Sequence, residues 1–249
     1  MDLEVDNIFS DLFSRSDIIS RSGKRLSTYN GISKDEVEMI YDTIAKDETV
    51  LKTLEVGCAI GFSSLAITSA LKGRPNAHHT IIDPFQISMF DRAGIDLLES
   101  KGIKHFDLIE NGSQIALPNL LDKSEIFDLI LIDGFHSFEQ AMLDIFYSTR
   151  LLRQGGYLVV DDSSWPAVAK SVAYYENQPW LKLHDRPKPI DPVSAAIWKI
   201  LGTRVLRKIA VRVLPNKLMH TLNVKRFGTM VILKMVSIVD QEYYRYHFF

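Results

Sequence analysis

Short apolar runs recur through the middle of the chain, and each closes on or beside a carboxylate. Val50 to Val56, Thr80 to Asp83, His105 to Glu110, Phe127 to Asp133 (FDLILID) and Tyr157 to Asp161 (YLVVD) read as strands. The nearly unbroken apolar character of FDLILID suits a strand buried on both faces. Between these runs, Ser63 to Leu71, Asp91 to Lys101 and Phe138 to Leu152 carry helical patterns, the last ended by Gly155-Gly156. Strand alternating with helix predicts an α/β fold, a doubly wound and mostly parallel sheet with helices on both faces. Such sheets bind ligands at the carboxyl ends of their strands. Glu55, Asp83, Asp133, Asp161 and Asp162 stand at those ends here.

The two ends of the chain read differently. Ser33 followed by Glu36 is a helix start, with the helix running to about Ala45, so residues 1–45 form an N-terminal helical extension. Trp180 to His184 and Thr229 to Met235 are strand candidates, the latter a final antiparallel strand. A single domain over residues 1–249 is expected, with a basic helical insertion over 190–226. No Asp or Glu occurs from Pro192 to Val239, while nine of the 29 Lys and Arg residues do. Within Val193 to Leu214, Arg204, Lys208 and Arg212 recur every fourth residue, and Ile197, Leu201, Val205, Ile209 and Val213 follow the same step on another face. Four readings stay open for this amphipathic stretch: a core-packed helix with a solvated basic face, a lid, a subunit contact in a homo-oligomer, or a peripheral membrane contact.

Composition narrows the classes of function. With 46% hydrophobic and 24% charged residues the chain is globular, and the one cysteine, Cys58, leaves no intramolecular disulfide and no Cys-based zinc cluster. The acidic start lacks a secretory pattern and no apolar run is long enough for a membrane helix, so a cytoplasmic setting is expected. A net charge of -2 without aromatic-interleaved basic motifs argues against nucleic acid.

The loop Gly57-Cys58-Ala59-Ile60-Gly61 joins the first strand to its helix. Its Gly-x-x-x-Gly spacing is neither a dinucleotide fingerprint nor a phosphate loop. It carries no Lys or Arg and follows Glu55, which suits a ligand with a cationic end; a tight turn without a ligand is the alternative. Asp83 is placed to accept hydrogen bonds from a ribose diol. Asp133, Asp161 and Asp162 lie on adjacent strand ends, about 5 Å apart, and would repel one another without a proton, a base or a cation. A hard divalent ion fits; the alternative has Asp162 capping the next helix and Asp133 facing solvent. His136, three residues after Asp133, is either a proton acceptor or a plain surface residue.

The stretch Glu55-x-Gly57-x-x-x-Gly61-x-Ser63, with Asp83 and with Gly112-Ser113-Gln114, resembles class I S-adenosylmethionine-dependent methyltransferases. The closer resemblance, from about Ile32 to Trp165 plus a last strand near Phe227 to Met235, is to the metal-dependent O-methyltransferases of the catechol and macrolide-sugar types. It implies a Rossmann-like fold. Gly57, Gly61 and Ser63 would meet the methionine end of S-adenosylmethionine with Glu55 supporting the loop, Asp83 would hold the ribose, and Ser113 and Gln114 the adenine, beside Asp133. Asp133, Asp161 and Asp162 would hold Mg²⁺. Catechol-type enzymes place Asp-Asn where this chain has Asp161-Asp162, and a lysine where it has His136. The macrolide-sugar type, with histidine as base, is the better match. The implied reaction is O-methylation of a hydroxyl on a sugar, polyol or other small natural product, with Asp133 and His136 catalytic. Two alternatives are a metal-independent N- or C-methyltransferase and a non-catalytic cofactor-binding scaffold. Tyr29, Phe135, Trp165 and Trp198 are candidate pocket aromatics.

Overall fold

A computed structural model of the protein describes residues 1, 3–28, 31–186 and 229–239. The chain opens with α1 (Leu3–Ser14), a hairpin of β1 (Asp17–Ile19) and β2 (Arg25–Ser27), and α2 (Lys34–Ala45). Strands and helices then alternate: β3 (Lys52–Val56), α3 (Phe62–Ala70), β4 (His78–Ile82), α4 (Ala93–Ser100), β5 (Phe106–Ile109), α5 (Ser113–Asp122), β6 (Phe127–Ile132), α6 (Phe138–Leu151), β7 (Leu152–Val160) and α7 (Pro166–Tyr175). β8 (Leu181–Asp185) and β9 (Val231–Met235) complete the described elements.

Among the described residues one seven-stranded sheet has the order β5-β4-β3-β6-β7-β9-β8. The strands from β3 to β7 pair in parallel, and β9 runs antiparallel to both of its neighbours, as expected from the sequence. The strand order reverses between β3 and β6, which opens a crevice above their carboxyl ends. Both faces are covered. Leu129 and Leu131 of β6 pack in one core with Phe9, Ile40, Leu65 and Leu98, while Ile130 and Ile132 pack in the other with Leu117, Ile145 and Val172. The alternation explains why FDLILID has to be apolar throughout: successive side chains enter different cores.

Three expectations are corrected. The N-terminal extension is not purely helical, because β1 and β2 interrupt it. Gly155-Gly156 does not end α6. The helix stops at Leu151, and both glycines lie inside β7, where Gly155 takes φ +82° next to a register shift against β6. A glycine in the left-handed region makes a bulge and so bends the strand. α5 emerges where the sequence shows no helix, because Pro118 interrupts its pattern, whereas α7, started by Pro166 at its first turn, is the helix expected after Asp162. The basic stretch 193–214 and the wider insertion 190–226 lie outside the described residues. No helix among the described residues is long and apolar enough to cross a membrane.

Candidate active site

The glycine loop leaves β3 and passes against the end of β6. Gly57 takes φ +90°, and a Cβ there would lie 2.0 Å from the Asp133 carbonyl oxygen, so only glycine permits this approach. Gly61, at φ +88°, heads α3 with no room for a side chain, since a Cβ would meet Gly94 Cα at 2.8 Å. The loop is fastened from the neighbouring strand. Asp83 Oδ2 accepts from the Cys58 N–H (3.0 Å), the Ala59 N–H (2.9 Å) and Gln86 Nε2 (3.0 Å), and Oδ1 accepts from the Phe85 N–H (2.7 Å). Asp83, read from sequence as a ribose ligand, is thus first a brace for the loop, and Oδ1 retains its acceptor capacity. Glu55 is fully buried below the loop; it accepts from the Ser64 hydroxyl and lies 3.4 Å from His79 Nε2, while its Oε1 is buried without a hydrogen bond. Ser63 is buried in the first turn of α3. Burial, then the nearby Glu55, pushes the Cys58 thiol well up, so it stays protonated.

On the other side of the crevice, two strand ends are held in step. The Asp133 N–H donates to Val56 O at 2.8 Å and the Asp161 N–H to Ile132 O at 2.9 Å. Asp162 follows with φ +48°, a strained value for a residue other than glycine. Its side chain does not cap α7, whose N-cap is Trp165 without a side-chain bond. Instead Asp162 Oδ2 lies 2.7 Å from His136 Nε2, which is also 3.9 Å from Asp133 Oδ1. One donor atom from each of Asp133, His136 and Asp162 lies within 4.8 Å of the others, the one such convergence of Asp, Glu, His and Cys among the described residues. Asp161 is not in that trio. It is 8% exposed.

The electrostatics answer the question of what offsets the repulsion. Asp133 and Asp162 raise the His136 imidazole to about 10, so it serves as the counter-cation. Burial, chiefly, with Asp162 and Glu55 adding, raises Asp133 to about 6 against the opposing effect of His136. Asp161 is pushed well above the usual carboxyl range by burial, then by Asp133, Glu36 and Asp162. His136 Nε2 is buried and, despite its short distance to Asp162, is not aligned for a hydrogen bond. Two carboxylates and an imidazole that is poorly satisfied between them form a donor set suited to a divalent cation.

Phe135 and Trp165 flank this cluster, 73% and 45% exposed, and the Trp165 ring lies 5.1 Å from the His136 ring. Tyr29 and Trp198 fall outside the described residues. Ser113 is buried at the start of α5; Gln114 is exposed beside it, its side chain curled over Gly112. Sequence reasoning missed Glu36, Gln86, Gln140 and Asp144. Glu36 carried a signal, the capping box with Ser33, but as a helix start rather than as a neighbour of Asp161. A separate cleft of about 710 Å³, lined by Asp35, Asp42, Asp47, Tyr157 and Arg186 among others, contains none of these site residues.

The family described as "Methyltransferase domain" matches residues 54–163, a span that runs from the glycine loop through Asp162. No curated protein matches the chain. Among solved structures, the O-methyltransferase TomG from Streptomyces achromogenes, involved in tomaymycin synthesis and in complex with SAM, is 17% identical with a TM-score of 0.56, over 73% of this chain and 87% of its own. An O-methyltransferase from Bacillus cereus in complex with SAH is 13% identical with a TM-score of 0.56, over 74% of this chain and 83% of its own. The SAH-bound Podospora anserina methyltransferase PaMTH1 is 16% identical with a TM-score of 0.53, over 94% of this chain and 88% of its own. Residues 54–163 thus match a methyltransferase-domain model, and the chain shares the fold of these methyltransferase structures.

Proposed function

We propose that the protein transfers a methyl group from S-adenosylmethionine to a hydroxyl of a sugar, polyol or other small natural product, with a divalent cation, Mg²⁺ foremost, held by Asp133 and Asp162 and backed by Asp161. The observation that carries this reading is the convergence of Asp133, His136 and Asp162 next to a glycine loop that only Gly57 allows. When bound, the cofactor supplies a methyl on a sulfonium and the cation lowers the hydroxyl pKa. Asp133 and Asp162 would supply the negative charge that retains a cation beside the acceptor. His136 Nε2 has one lone pair and cannot both ligate and accept a proton, so we assign it the proton of the hydroxyl. Asp162, 2.7 Å away, then stabilises the imidazolium. The glycine loop at Gly57 and Gly61 would hold S-adenosylmethionine, which would supply the methyl to the acceptor oxygen, the C–O bond forming as the C–S bond breaks and the sulfur staying with the cofactor as a neutral thioether. Phe135 and Trp165 offer flat apolar surfaces that exclude water and align an acceptor ring.

A second reading, a metal-independent methyltransferase acting on nitrogen or carbon, draws support from one observation: the His136 imidazolium itself neutralises the two carboxylates. Calorimetric titration with S-adenosylhomocysteine, followed by methyl-transfer assays on polyol and sugar panels with and without EDTA, separates the readings. Loss of transfer on chelation and recovery with Mg²⁺ support the first. Full activity after chelation supports the second, and no cofactor binding overturns both in favour of a scaffold.

A further inference from the structure

A helix that covers a sheet turns a charged or polar face to solvent. α6 does not. Phe138 and Phe146 are 42% and 41% exposed, Met142 and Leu143 between them are half-buried, and the charges on that face are Glu139 and Arg150, one near each end. On the adjoining α7, Tyr174 is 37% exposed. The Arg150 guanidinium lies 3.5 Å from the centre of the Phe146 ring, and its Nη1 donates to Phe146 O at 2.8 Å. Aromatic surface and positive charge therefore meet at one spot, at the end of α6 opposite the carboxylate cluster. Apolar faces of this kind mark contact surfaces.

The chain itself passes this spot. β9 runs antiparallel to β7, so it leaves the sheet at the end where α6 and α7 finish. There Gln154 Nε2 donates to Val236 O at 3.0 Å, and Val239 is buried in the same core as Leu151, Val172 and Tyr175. Residues 240–249 follow, outside the described residues. Tyr243, Tyr244, Tyr246, Phe248 and Phe249 crowd into seven positions of a chain that is 10% aromatic, a density too apolar to be left in water. Asp240 and Glu242 precede them. Ten extended residues reach about 33 Å, more than the roughly 21 Å of α6, so the aromatic rings can span the whole exposed face.

We propose that residues 241–249 of this chain dock on the outer face of α6 and α7, their aromatic side chains against Phe146 and Tyr174. Charge agrees with this occupant, since Asp240 and Glu242 bring negative charge to the end of the face that carries Arg150. The contact is independent of the methyl-transfer reading.

Disulfide trapping in the full chain tests it. Cys58 is buried, so paired new cysteines report alone. Phe146→Cys is combined in turn with Tyr243→Cys, Tyr244→Cys, Tyr246→Cys and Phe248→Cys. Under mild oxidation at least one pair should close within the chain about tenfold or more faster than the same tail cysteine paired with Lys72→Cys, an exposed position after α3 on the other face of the sheet. A stability cycle reads the contact without cysteines. Phe146→Ser should lower the unfolding temperature by about 2–4 °C in the full chain and by less than about 1 °C in a chain ended at Asp240. Disulfides that form between chains assign the face to a second copy and overturn the proposal. Closure at none of the four tail positions, closure as fast with Lys72→Cys, or equal temperature shifts in the full and shortened chains overturn it as well.

Discussion

His136 stands between two carboxylates, and the sign of that arrangement governs what the imidazole does. Its folded value of about 10 exceeds the ordinary 6.5, so the ion pairs stabilise the fold fully below about pH 6.5, and this contribution is lost as pH rises through about 10. In the metal-free protein, urea unfolding midpoints measured at pH 6, 8 and 10 should fall across that window. In Asp162→Asn the fall should be shallower, and parallel curves for the two proteins would rule the pairing out. The same charge explains why a bound cation matters to the proposed chemistry: an imidazole protonated to about 10 takes no proton at neutral pH until positive charge nearby lowers it. Asp161 feels the charge of both Asp133 and Asp162. Asp161→Asn should reduce metal-stimulated methyl transfer by about 10–100-fold while leaving S-adenosylhomocysteine affinity within about threefold. A parallel collapse of affinity, read by calorimetry, would place Asp161 in the cofactor site instead.

At the scale of elements, the loop between β3 and α3 depends on contact with the end of β6. In Gly57→Ala the added methyl would overlap the Asp133 carbonyl oxygen, at 2.0 Å, and force φ +90° on a residue that avoids it. The expected loss is about 2–4 kcal/mol of unfolding free energy, with abolished S-adenosylhomocysteine binding; a folded Gly57→Ala protein that binds normally refutes the contact. A second junction joins the β1–β2 hairpin to the loop after β4. Asp91, at φ +49°, accepts from Ser20 Oγ at 2.6 Å and from the Ser22 N–H at 3.0 Å, and these bonds hold its carboxyl down at about 2. Asp91→Ala should speed amide exchange of residues 84–92 without altering the exchange of β3. The strand ends at Glu55, Asp83, Asp133 and Asp161 were legible in the sequence because burial on both faces leaves an apolar run that closes on or beside a carboxylate. The hairpin was not, since the three-residue strands DII and RLS are too short to show a period. The approach of Asp162 to His136 was hidden for another reason: it depends on a left-handed turn at Asp162, which no residue type there announces.

For the whole molecule, carboxyl groups buried at the head of the sheet weigh against the folded state once they ionise. Asp133 and Asp144 both titrate at about 6 in the fold, each raised chiefly by burial above the ordinary 3.8. Their contribution to stability is full below about pH 4 and is lost as pH rises through about 6, the reverse of an ordinary salt-bridged acid. The two groups differ in what relieves them. Asp144 is enclosed by Gln140 and Ser113, so Asp144→Asn should remove about 2–3 kcal/mol of that pH dependence whatever ions are present. Asp133 faces Asp162 and His136, and a cation held between them, as proposed, would stabilise the ionised form instead. Saturating MgCl₂, at about 100 times the dissociation constant, adds about 2.7 kcal/mol and so should raise the unfolding temperature by about 5–10 °C at pH 8. At pH 5 the rise should be much smaller, because the cation competes with a proton on Asp133. Scanning calorimetry at the two pH values, on the native protein, Asp144→Asn and Asp133→Asn, separates the contributions: Asp144→Asn should keep the full metal shift and Asp133→Asn should lose it. A shift equal at both pH values, or one that survives Asp133→Asn, would mean that the cation binds somewhere other than the carboxylates that close β6 and β7.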